Sequence, residues 1–130
     1  MTRNDKEYLF HLLQDIYFDN IDTAKADEAA EAMHSDVRWV HNQVWEHDAH
    51  KTNIRDTFNG RKEVREFLRK RVLEMQIEGI IHKVENVVSD GKLGAFKANV
   101  IGTDKSKKPF FGLVELKDNK IIDYRVLPQE

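Results

Sequence analysis

The chain reads as one α+β domain spanning residues 1–130, a strongly curved antiparallel sheet covered by three helices. Three observations predict this. Two stretches near the N-terminus place apolar residues at helical spacing. The run Phe58-Asn-Gly-Arg-Lys-Glu-Val-Arg-Glu-Phe-Leu68 opens a third, amphipathic helix. After it come only strands separated by turn residues. With 130 residues, 40% hydrophobic and 34% charged, the chain can build one hydrophobic core but not two.

The first helix is expected from Asp5 to about Asn20, with Leu9, Leu12, Leu13, Ile16 and Tyr17 on its apolar stripe and Asn4 as N-cap. A second runs from about Thr23 to Met33, where Ala26, Ala29 and Ala30 permit close approach to a neighbour. Val37 to His41 alternates as a strand, with Val37, Trp39 and His41 on one face and Arg38 and Val40 on the other. Asn42 to Asn59 is polar and without period, a flap or an insertion beside the mouth of a pocket. The third helix begins near Gly60 and carries Val64, Phe67, Leu68, Val72 and Met75 on one stripe. Strands follow at about Ile80 to Val88, Leu93 to Thr103, Pro109 to Lys117 and Lys120 to Leu127. Asp90-Gly91, a Lys-Ser-Lys-Lys loop and Asp118-Asn119 join them as hairpins.

In the last two strands Phe110, Gly112, Val114 and Leu116, with Ile122, Tyr124 and Val126, should face the helices. Phe111, Leu113, Ile121 and Leu127 fall on the other face among Glu115, Asp123 and Arg125. That face is more apolar than solvation requires, which predicts a homodimer through the sheet.

Charge and composition narrow the function. The 21 Lys and Arg nearly balance the 23 Asp and Glu, leaving a net charge of -2, so no global field draws the chain to nucleic acid or to an anionic membrane. The basic run from Arg61 to Arg71 is interleaved with Glu63 and Glu66 and reads as a solvated helix face. No stretch approaches the ~20 apolar residues of a membrane span, and the charged start Met1-Thr-Arg-Asn-Asp-Lys-Glu7 reads as cytoplasmic. Without cysteine there is neither a thiol nucleophile nor a zinc-thiolate site. A Gly-x-Ser-x-Gly elbow and phosphate-binding glycine loops are absent too.

The order of elements, with His34-Ser-Asp-Val-Arg-Trp-Val-His41 as first strand, resembles the cone-shaped, cystatin-like fold of the nuclear transport factor 2 and ketosteroid isomerase superfamily, especially its SnoaL-like branch. The resemblance covers essentially the whole chain. It implies a cavity for a small hydrophobic ligand and no cofactor. It sets His41 on the position of the family's proton-shuttling aspartate and Tyr17 on its oxyanion-donating tyrosine. The third polar position, a protonated aspartate in the family, falls near Phe111 or Gly112, neither of which has a donor side chain.

Proton transfer is chemically coherent for this pair. An imidazole, with a reference pKa of about 6.5, accepts a proton near neutrality without tuning. A phenol in an apolar cavity can stabilise an enolate. Trp39, Trp45, Phe58, Phe96, Phe110 and Tyr124 are the candidate walls for a flat apolar ligand. Two bland alternatives stand beside this. Tyr17 and His41 can be pocket-wall residues that hydrogen-bond each other or water, and the domain can be a non-catalytic binding or dimerisation module. His47-Asp48-Ala-His50 has the look of a metal cluster, yet a polar loop supplies solvated histidines readily, and no metal is expected. His11, His34 and His82 read as surface or strand-packing residues.

Overall fold

The structure, a computed structural model, describes residues 4–42 and 55–128, with residues 74–78 and 128 by their backbone alone. Asn4 caps α1 (Asp5–Phe10), its side-chain oxygen accepting from the Glu7 N–H at 2.8 Å, while Asp5 and Glu7 complement the helix dipole. The helix then widens. His11–Phe18 is π-helical, and the Asp19 N–H bonds back five residues to the Gln14 carbonyl. α2 (Asp19–Asp22) completes the run. The five-residue turn explains the inward residues, since Leu12 and Leu13 are buried and so, five positions on, are Tyr17 and Phe18.

The second expected helix is shorter than its alanines predicted. Ala24 takes a positive φ of 61°, α3 covers only Ala26–Ala30, and Met33 already belongs to a strand. The Ile121 N–H bonds to the Ala32 carbonyl at 3.0 Å, so pairing with the C-terminal strand claims the backbone where the helix was expected to continue. The small faces of Ala26, Ala29 and Ala30 are buried, and Asp27 on α3 receives both Arg69 Nε (2.9 Å) and Nη2 (3.1 Å) from the third helix.

Among the described residues six strands form the sheet: β1 (Met33–Asn42), β2 (Arg55–Asn59), β3 (Ile81–Ser89), β4 (Leu93–Ile101), β5 (Lys107–Lys117) and β6 (Lys120–Pro128), in the order β2-β1-β6-β5-β4-β3. α4 (Arg61–Glu78) connects β2 to β3 and buries Val64, Leu68 and Val72 against the sheet. Gly60, at φ 90°, makes the turn into it, and Glu63 reaches back to the Asn59 N–H at 3.0 Å.

Three expectations are corrected. The sheet is mixed, because β1 lies parallel to β6 with Trp39 beside Tyr124, whereas the other described pairings are antiparallel. Alternation identifies a strand; its direction against a partner at the far end of the chain is a tertiary matter. Within the segment expected to be a loop, Arg55–Asn59 is an edge strand pairing with β1, set there by backbone bonds that its single large apolar residue, Phe58, gave little sign of. Residues 43–54 lie outside the described residues. Finally, Ile121 is fully buried rather than on the outer face. Between Glu115 and Leu116 the β5–β6 register shifts, so Ile122 is the extra residue of a bulge and Ile121 turns inward with Leu116.

Candidate functional site

A narrow cavity of about 40 Å³ lies between the helices and the sheet. For scale, a protein cavity that takes benzene is of the order of 150 Å³. Tyr17 reaches it from the π-helical turn, Trp39 and His41 from alternate positions of β1, and Tyr124 and Phe110 from β6 and β5. Phe67, Leu68 and Arg71 of α4 close another side.

The polar centre of this cavity is a cluster of three rings. Trp39 Nε1–H donates to the Tyr17 hydroxyl at 3.0 Å, and the Tyr124 side chain is its other polar neighbour. The Tyr17 and Tyr124 rings are 5.3 Å apart, and Trp39 stacks on Tyr124 at 5.9 Å and 8°. Burial pushes the Tyr17 phenol well above its ordinary pKa, opposed by the hydrogen bonds with Trp39 and Tyr124. Burial raises Tyr124 too, with the neighbouring Tyr17 adding to the rise. The His41 ring also stacks on the Trp39 indole, at 5.2 Å and 15°.

Of the residues singled out from sequence, the cavity brings together Tyr17, His41, Trp39, Phe110 and Tyr124. Phe58 and Phe96 stand behind this wall. Phe58 packs on Trp39 and Phe67, and Phe96 on Phe18, Phe110 and Tyr124. Trp45, His47 and His50 lie outside the described residues. Among the described residues no group of three His, Asp or Glu side chains is placed to hold a metal.

Two polar wall residues escaped sequence reasoning. Arg71 is only 5% exposed and lines the cavity, although its run of charges reads as a solvated face. His82, expected on the surface or in strand packing, also lines it. Its Nδ1 sits 2.6 Å from Asp22 Oδ1, its backbone N–H bonds Asp22 Oδ2 at 2.7 Å, and its ring stacks on Phe18 at 5.0 Å and 11°. Only the π-helical register and the fold together bring Asp22 to it.

The third polar position of the resemblance is empty of donors. Phe111 is half exposed on the outer face, and Gly112 is buried where an added Cβ would run into the Phe96 ring.

No protein-family model matches the chain, and no curated protein matches its sequence. Solved structures do. A ketosteroid isomerase candidate from Kribbella flavida DSM 17836 is 18% identical over 97% of this chain and 81% of its own, with a TM-score of 0.65. An LEH-like epoxide hydrolase of M. tuberculosis is 14% identical over 97% and 86%, at 0.66. A nuclear transport factor 2-like protein with a cystatin-like fold from Novosphingobium aromaticivorans is 11% identical over 97% and 82%, also at 0.66.

The fold is the nuclear transport factor 2-like one. At these identities the likeness fixes the architecture and leaves the chemistry to the residues in the cavity. In this nuclear transport factor 2-like cone those residues are a buried tyrosine pair, two histidines and an arginine. No described helix is long and apolar enough to cross a membrane.

Proposed function

We propose that the cavity binds a small, largely apolar carbonyl compound and catalyses proton transfer next to its carbonyl group, as an isomerase or a related lyase does. One observation carries this reading. The Tyr17 oxygen accepts from Trp39 at 3.0 Å and lines the cavity, so its own O–H is left to donate to a ligand. A phenol supported by an indole donor in an apolar cavity is suited to an enolate oxygen, whose charge it meets only as the charge develops. In this reading His41, beside it on the Trp39 face, removes the α-proton, and Arg71 adds positive charge to the wall. At about 40 Å³ the closed cavity is smaller than one small ring, so a ketone of that size has to widen it on entry, and anything larger is disfavoured.

A second reading keeps the cavity and drops the chemistry. The missing donor at Phe111 and Gly112 favours a non-catalytic binding module. Conversion of cyclopent-3-enone to its conjugated isomer, followed by ultraviolet absorbance, decides between them. His41→Ala should abolish turnover and Tyr17→Phe should slow it by about 10² to 10³, while both variants still bind the ketone. Binding without turnover in the parent protein would establish the binding module.

We also propose that the outer sheet face pairs two copies of the chain. Phe111 stands beside Leu127, and Leu113 beside Ala95, in apolar rows bordered by Lys97 and Arg125.

A further inference from the structure

We infer that His82, held by Asp22, is a second proton-transfer group of the cavity, returning a proton to the substrate from the side opposite His41. The inference rests on the proposed carbonyl chemistry and extends it from one proton-transfer histidine to two. His41 stands on β1 and His82 on β3, close to opposite ends of the strand order, and the curved sheet turns both toward one cavity. Val100, the cross-strand partner of His82, lines the same wall.

The construction around His82 exceeds what strand packing needs. β3 is an edge, and its backbone is satisfied from the helical run. Gln14 Nε2 donates to the His82 carbonyl at 3.0 Å, Gln14 Oε1 accepts from the Val84 N–H at 2.7 Å, and Asp22 Oδ2 accepts from the His82 N–H. One carboxylate oxygen would have sufficed. The other oxygen takes the ring Nδ1–H, which fixes the imidazole orientation and directs its bonding capacity through Nε2. Phe18, stacked on the ring, fixes its plane and meets the ring of Tyr17, the residue before it, edge-on.

The chemistry balances for a β,γ-unsaturated ketone. His41 takes the α-proton, the C–H electron pair moves into the dienolate, and the negative charge on oxygen is met by the Tyr17 O–H. Imidazolium His82, its Nδ1–H on the Asp22 carboxylate, gives the Nε2 proton to the γ-carbon, and the dienolate collapses to the conjugated ketone. His41 then releases its proton to water and His82 takes one up.

The test uses cyclopent-3-enone in deuterium oxide, following isomerisation by absorbance and α-proton exchange by nuclear magnetic resonance. His82→Gln should slow isomerisation at least about 10²-fold while α-exchange stays within a factor of about two of the parent. His41→Ala should lose both. Asp22→Asn, which keeps the side-chain volume, should slow isomerisation at least about tenfold without weakening ketone binding. Isomerisation at the parent rate in a folded His82→Gln protein overturns the inference and leaves the His41 reading intact. Equal losses of isomerisation and α-exchange in that variant overturn it as well, because His82 would then be supporting the pocket. A parent protein that binds the ketone and exchanges nothing overturns both proposals.

Discussion

The indole of Trp39 donates to the hydroxyl of Tyr17 at 3.0 Å and so ties the strand carrying His41 to the helix carrying the phenol. Tyr17→Phe therefore does more than remove a donor from the cavity. It orphans a buried indole N–H and should cost about 1–3 kcal/mol of folding stability, read as a lower urea midpoint with unchanged slope. A variant as stable as the parent would mean the bond contributes nothing.

The two buried phenols predict an alkaline limit. An unfolded tyrosine ionises near its reference pKa of about 10, whereas Tyr17 and Tyr124 hold their protons to higher pH in the fold. Below about pH 10 their contribution to stability is intact. As pH rises further the unfolded chain loses protons that the native state retains, so stability falls. Denaturation midpoints measured across that pH should decline, and the decline should be shallower in Tyr124→Phe. A flat profile in the parent would contradict the burial of the pair.

Gly112 is where the cone admits no side chain. Gly112→Ala should push Cβ into the Phe96 ring and destabilise the fold by about 1–3 kcal/mol. Gly112→Asp, which would supply the missing third donor, should be worse, since it adds a carboxyl to a buried apolar contact. Thermal midpoints read both, and an unchanged midpoint in the alanine variant would refute the tight contact.

For the outer face, Phe111→Glu with Leu113→Lys should leave the cavity intact and shift sedimentation to a monomer of about 15.3 kDa. Both residues are exposed in the single chain, at 45% and 60%. A parent protein that sediments as a monomer at micromolar concentration would remove the dimer.

Much of this was legible in one dimension. The stripe Val64, Leu68, Val72 named α4, and the turns Asp90-Gly91 and Asp118-Asn119 named the last hairpins, because periodicity and turn chemistry are local. Tyr17 and Trp39 could be placed on inward faces for the same reason. What escaped was set by contacts distant in sequence. The direction of β1 depends on β6, and the inward-facing Ile121 gives its N–H to the Ala32 carbonyl far back in the chain. The dyad of Asp22 and His82 joins a helix end to an edge strand that sequence gives no reason to bring together. The π-helical turn did leave a trace, the apolar pairs Leu12-Leu13 and Tyr17-Phe18 five residues apart, which a search for helical period alone passes over.

The parallel seam between β1 and β6 also dictates when the site can exist. Trp39 and Tyr124 become neighbours only once the last strand has returned to the first, a closure spanning most of the chain and among the slowest contacts to form. A ribosome-bound chain that has made everything up to β5 already holds Tyr17, Trp39 and both histidines, yet lacks the strand that seals the cone. On the proposed reading, ligand binding would report completed folding, and a small ketone that fits the cavity would stabilise only the fully closed fold, by mass action.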